Sequence, residues 1–260
     1  MMGRHLATIA TIGRYTALES MRNRLLWIVG LTTLALVLAA SFAGEMAITE
    51  AAQIQSGLLG AALRLLMVVV MAVYVVHAQV REIHDKGVEL LLALPIPRSS
   101  YLLGKLLGFG LSAAMLAVMA TLAVALHTTP EAALFWGLSL FFELLLVVGI
   151  SLLCLMTFNQ APPALTIVLL FYLLCRMITA IRMVGEGPLM PTRYEYIVFS
   201  REAIHMIAAL LPDLSRFTQS SWLIHGDVGW GDVGFVVGQS LIYLTLLVSA
   251  ALYDLYRREF

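Results

Sequence analysis

The chain has 260 residues, 61% of them hydrophobic and only 12% charged, with a mean hydropathy of +0.92. Soluble domains carry about 25% charged residues, and an aqueous fold of this length could not hide so much apolar surface, so lipid must solvate most of it. The formal net charge is zero, which lacks the basic footprint of a nucleic-acid binder.

Residues 6–24 read "LATIATIGRYTALESMRNR". Leu6, Ile9, Gly13, Ala17 and Met21 fall near one helical stripe, with Arg14, Arg22 and Arg24 off it. The pattern predicts an N-terminal helix lying in the cytoplasmic interface, residues 1–24, ahead of a transmembrane domain over 25–260. The plainer reading is an ordinary basic flank.

A spanning helix needs about 20 mostly apolar residues. Six runs meet that need: Leu25–Phe42, Gly57–Val80, Leu106–His127, Leu134–Thr157, Ala164–Met183 and Val233–Tyr253. The predicted fold class is therefore an all-α integral membrane protein. The first run followed by "SFAG" has the look of a signal peptide, but the basic region before it is too long for one. It is read as a span.

Arginine and lysine set the orientation. Arg4, Arg14, Arg22 and Arg24, then Arg81, Lys86, Arg98 and Lys105, then Arg257 and Arg258 fall on one side of a six-span chain. The opposite short loops, "AGEMAITEAAQIQS" and "TTPEAA", hold no Lys or Arg and three Glu. Both termini are expected in the cytoplasm. The longer loop after the fifth run weighs little in this rule.

The stretch 81–105, "REIHDKGVELLLALPIPRSSYLLGK", packs eight ionisable residues and two prolines between the second and third spans. "VELLLAL" forms a strongly apolar helix-former run, far too short to cross a bilayer. Pro95 and Pro97 then disfavour helix at Leu94 and Ile96, and Ser99 or Ser100 can cap the next helix. The chain should make a short helix, a rigid corner and another helix. That product is either a docking element on the cytoplasmic face, with a coupling region over 81–98, or a plain amphipathic surface helix.

Residues 184–232 form the largest segment outside the spans. Breakers in "GEGPLMP" precede a helical pattern, and "LLPDLSRF" and "HGDVGWGD" end it with turn chemistry. Tyr194, Tyr196, Trp222 and Trp230 suit a headgroup-level position, so one or two short amphipathic helices are expected on the outer surface.

Three charges lie inside spans. Arg64, Glu143 and Arg176 sit roughly 10, 13 and 10 Å from the outer ends of the second, fourth and fifth runs, at about 1.5 Å rise per residue. A charge at that depth faces protein or water. Glu143 is expected to pair with at least one arginine, the alternative being that each arginine snorkels outward. The Gly104–Gly108 and Gly234–Gly238 pairs permit close helix approach. Met67, Met71, Met115 and Met119 read as adaptable packing rather than a copper path, since no His or Cys clusters with them. Cys154 and Cys175 lie inside apolar runs and suggest neither a disulfide framework nor zinc.

Nothing in the chain reads as an engine. A phosphate cradle ends in Gly-Lys-Ser/Thr after a strand, whereas Gly104-Lys105 is followed by Leu106 at the start of a span. No HExxH, CxxC or GxSxG occurs. The chain is read as a non-enzyme with no cofactor and no metal of its own.

The stretch "REIHDKGVELLLALPIPRSSYLLGKLLG" resembles the signature region of ABC-2 type transporter permeases. The family's acidic-basic start, Gly, Glu-Leu-Leu-Leu, Leu-Pro-Ile-x-Arg and closing Gly-Lys are met by Glu82, Gly87, Glu89, Leu90, Leu91, Leu92, Leu94, Pro95, Ile96, Arg98, Gly104 and Lys105. Six spans, the basic N-terminal segment, the outer "LLPDLSRF" and the "RREF" tail fit more loosely. His84 and Asp85 depart from the family's commoner Glu-rich start.

The resemblance implies a permease subunit in a bacterial inner membrane. It would pair with a second permease, most simply a second copy of itself, and bind a cytoplasmic ABC ATPase holding ATP and Mg. Residues Glu82, Asp85, Lys86, Gly87, Val88, Glu89, Leu91 and Leu92 would form or flank the coupling helix seated in that ATPase. It implies an exporter. The alternative is a mechanical transmitter passing ATPase motion to an outer-side protein of a maturation or assembly machinery.

Overall fold

The computed structural model describes residues 2–46, 51–85, 97–158, 160–186, 206, 211–226 and 228–257. They form α1 (Met2–Arg22), α2 (Arg24–Met46), α3 (Ala51–His84), α4 (Arg98–Ala125), α5 (Pro130–Phe158), α6 (Ala161–Glu186), a single 3-10 turn (Leu214–Arg216), α7 (Ser220–His225) and α8 (Trp230–Arg257). Among the described residues there is no strand. Six of these helices, α2 to α6 and α8, are long and apolar enough to cross a membrane. The protein is an all-α, multi-span integral membrane protein.

The helices outrun the apolar stretches that predict them. α3 has 34 residues, about 50 Å at 1.5 Å per residue against a hydrocarbon core of about 30 Å. Its last turn, with Arg81, Glu82 and His84, therefore projects beyond the lipid. α6 begins at Ala161, before the apolar run proper, because Pro162 and Pro163 fall in a first turn, where a helix has no use for their missing N–H groups. Pro130 opens α5 by the same logic. α4 departs from expectation at its cap. Pro97, extended at φ −64° and ψ 138°, holds the N-cap position without a side-chain hydrogen bond, and neither Ser99 nor Ser100 caps.

α5 is the axis of the bundle. It contacts α3, α4, α6, α7 and α8, and the consecutive residues from Leu146 to Leu152 are all buried, so it is enclosed on every side there. A helix apolar all round belongs in such a place. α2 and α8 are peripheral and mostly exposed, with Trp27, Leu31, Leu38, Leu241 and Leu246 facing outward, as lipid-facing helices do. Met67 and Met71 are fully buried core residues.

α1 lies lengthwise along the start of α4. A Cβ on Gly104 would come within 2.8 Å of Ile12, and one on Gly108 within 2.5 Å of Thr16. Ser112 donates its hydroxyl to Ser20 over 2.8 Å. Ile12 faces Gly104, Thr16 faces Gly108 and Ser20 faces Ser112, a constant offset along two helices running the same way. Thr16, Ser20 and Gly13 are buried on this seam, while Leu6 and Met21 are exposed. The packed stripe is thus rotated from the greasiest one. Gly104–Gly108 serves the close approach its spacing predicts, whereas a Cβ on Gly234 or Gly238 would meet nothing within 4 Å.

The inner ends of the bundle are tied. Arg98, at the start of α4, donates to the backbone carbonyl oxygens of Leu255 (2.8 Å) and Tyr256 (3.3 Å) in the last turn of α8. A cation there satisfies carbonyls the helix leaves open and meets the negative end of its dipole. Thr157 donates to Asp254 across α5 and α8 over 2.7 Å.

Candidate functional site

The three intramembrane charges converge. Glu143, 0% exposed, lies on the α5 face that carries Ser139 one turn earlier. Tyr172, Arg176 and Thr179 follow at i, i+4 and i+7 on one face of α6. Arg176 approaches the Glu143 carboxylate to 3.8 Å, an ion-pair distance. Tyr172 donates its hydroxyl to Glu143 Oε1 over 2.9 Å.

The remaining partner comes from the outer segment. Thr218, fully buried, donates its hydroxyl to Glu143 Oε2 over 2.6 Å. Its backbone N–H donates to Ser139 Oγ over 3.0 Å, and its carbonyl accepts from Arg64 over 3.1 Å. Arg176 also donates to the carbonyl of Phe217 (2.8 Å) and to that of Leu214. Thr179 joins Asp213 and Ser215 at 3.1 and 2.8 Å. The outer segment therefore dips into the bundle at residues 213–218 and is stitched to α3, α5 and α6. Glu143 pairs with Arg176 directly and with Arg64 through Thr218.

Local folding explains the dip. Asp213 caps the 3-10 turn by accepting from the N–H of Ser215, so the chain reverses within a few residues. Thr218 takes φ +41°, a left-handed conformation that costs a β-branched residue about 1–2 kcal/mol. It holds because every polar group of Thr218 is satisfied. α7 follows and ends at Gly226 (φ +70°). Leu223 lies against Gly60 of α3, where a Cβ would come within 2.5 Å of its side chain. Thr128 donates to the Leu223 carbonyl over 3.0 Å.

At the inner end, Glu82 and Lys105 form an ion pair that is largely buried, with side chains 18% and 8% exposed. Gln79, one turn before Glu82, donates to the hydroxyl of Tyr101, one turn before Lys105. These contacts clamp the last turns of α3 to the first turns of α4. They enclose the stretch expected to dock. Glu82 and Asp85 lie in described structure, Asp85 closing the helix by donating its N–H to Arg81. Lys86, Gly87, Val88, Glu89, Leu91 and Leu92 lie outside the described residues, as do Tyr194 and Tyr196.

Sequence reasoning finds the three charges and misses Ser139, Tyr172, Thr179, Asp213 and Thr218. The i, i+4, i+7 spacing on α6 and the Ser139–Glu143 spacing on α5 carry that signal; nothing local marks Thr218. Among the described residues no group of three or more His, Cys, Asp or Glu side chains could hold a metal ion. No protein-family model matches the chain, and a search of curated proteins finds no match.

Proposed function

We propose that the chain is the membrane subunit of an ABC-2 type machine, passive itself and driven by a separate cytoplasmic ATPase. The observation that carries the reading is the tied inner hinge. Residues 86–96 join α3 to α4 in sequence, the facing ends of those two helices are held by Glu82–Lys105 and Gln79–Tyr101, and Arg98 links the same corner to α8. A push on the stretch is thereby delivered to three spans together. The family resemblance of that stretch supplies the ATPase as the source of the push and a second permease copy as partner, and the distribution of Arg and Lys supports termini in the cytoplasm. Export of a substrate is the leading activity. With no phosphate-binding loop in the sequence, hydrolysis is assigned to the partner.

The transmitter reading is favoured by one observation of its own. Residues 213–218 are stitched to α3, α5 and α6, so span movement would be handed to the outer surface rigidly.

The test is association of the full chain with its ABC ATPase in detergent. Glu89→Lys should abolish capture without altering thermal unfolding. Glu82 is a poorer probe, because its carboxylate already holds Lys105. Undiminished capture, or ATP hydrolysis by the purified chain alone, sinks the proposal. Substrate-stimulated ATPase activity supports export; co-purification of an outer-side protein without such stimulation supports the transmitter.

A further inference from the structure

A cavity of about 590 Å³ opens beside α1, between it and the inner ends of α3 and α4. Glu82 and Lys105 line it, Glu19 and Arg22 are exposed at its rim, and Tyr15 and Leu18 give it an apolar flank. Its level follows from the chain. In the α1–α4 register Arg22 lies level with Ala114, about nine residues or about 13 Å beyond Lys105, and Arg22 itself lies two residues before α2 begins. The cavity therefore runs along α1 across the headgroup layer, with Glu82 and Lys105 at its inner end and Glu19 and Arg22 at the other.

We infer that this cavity is a binding site for a zwitterionic phospholipid bearing a primary amine, of the phosphatidylethanolamine class. Lys105 is 7% exposed and faces the cavity with one of its three ammonium donors taken by Glu82. Its remaining donors and the Arg22 guanidinium suit a phosphate, which takes charge-assisted hydrogen bonds from both kinds of group. Glu19, together with the lone pairs that Lys105 and the Tyr101 hydroxyl leave on Glu82, suits an ammonium that can donate. Two cations and two carboxylates make the site neutral overall, so an anionic lipid gains nothing there and leaves the carboxylates unanswered. Tyr15, 70% exposed, and Leu18, 42% exposed, offer the acyl chain an apolar wall at the rim. The site depends only on the membrane-spanning arrangement, not on the ATPase reading.

The experiment uses the full chain in nanodiscs of equal phosphatidylethanolamine and phosphatidylglycerol, released into mild detergent for native mass spectrometry. Retained phosphatidylethanolamine should exceed phosphatidylglycerol by about tenfold, the discrimination of one charge-assisted hydrogen bond. Phosphatidylcholine, whose quaternary ammonium cannot donate, should be retained less well than phosphatidylethanolamine. Arg22→Gln and Glu19→Gln, both at the exposed rim and harmless to the fold, should each return the ratio to near one, while Arg216→Gln at the far end of the bundle leaves it unchanged. Free phosphoethanolamine at equal concentration should not displace the lipid. Equal retention of the two lipids, rim variants that keep the preference, or displacement by the free headgroup each overturn the assignment.

Discussion

The hydroxyl of Thr218 donates to Glu143 over 2.6 Å while the carbonyl of the same residue accepts from Arg64 over 3.1 Å. One neutral loop residue thus stands between a carboxylate and a guanidinium on different spans. The charges are expensive in lipid singly, and the loop lets them share a cost. The same contact makes the outer segment part of the bundle.

Glu143→Gln should cost about 3 kcal/mol of stability, the low end for breaking a buried ion pair, because the amide keeps an acceptor for Tyr172 or Thr218. Thermal unfolding in micelles measures it. Glu143→Leu combined with Arg176→Met should cost less than the sum of the two single changes, since neither charge is then stranded, although Tyr172, Thr218 and the carbonyls of Leu214 and Phe217 lose their partners. A double variant as damaged as the sum of the single ones would mean the two side chains do not interact.

Thr218→Ser should be close to neutral. Thr218→Val keeps the shape and the left-handed backbone but strands a lone pair of Glu143, at about 1–3 kcal/mol. Hydrogen exchange of the amides over 214–223 should accelerate in the valine variant and stay slow in the serine one. Equal protection in both would show that backbone contacts alone hold the segment.

Gly108→Leu should lift α1 from α4, because even a Cβ there would lie 2.5 Å from Thr16. Ser20→Cys with Ser112→Cys, in a background lacking Cys154 and Cys175, reports the contact as a disulfide. Cross-linking should be efficient in the parent and fall severalfold with Gly108→Leu. Gly238→Ala, where the new methyl meets nothing within 4 Å, serves as the control that changes nothing.

Lys105→Met leaves the Glu82 carboxylate without its counter-charge at the hinge. The single variant should be destabilised, and adding Glu82→Met should recover part of the loss, with a coupling of about 1–3 kcal/mol in a double-mutant cycle. Additive losses would remove the pair from the account of how the hinge is held.

The spans and the charges within them were legible because their signals are local. Hydropathy needs only a window, and a charge in lipid announces a partner whatever the fold. The packed face of α1 was hidden for a physical reason. In water a helix buries its greasy stripe, but beside lipid Leu6 and Met21 are as well placed facing outward as inward, and the small residues Gly13, Thr16 and Ser20 make the contact. Seeking the greasiest stripe therefore points at the lipid. Thr218 was illegible because its role depends on a turn that brings it to residues far away in sequence.

The even pairing of α1 with α4, Ile12 on Gly104, Thr16 on Gly108 and Ser20 on Ser112, has a mechanical corollary. A slip of one residue would drive Ile12 into Leu103 or Lys105 and Thr16 into Leu107 or Phe109 instead of glycine. The seam has a detent every four residues, about 6 Å apart, and a one-residue slip from any of them meets a large side chain. Whatever force reaches the foot of α4 must therefore carry the N-terminal helix with it whole, or peel it away altogether.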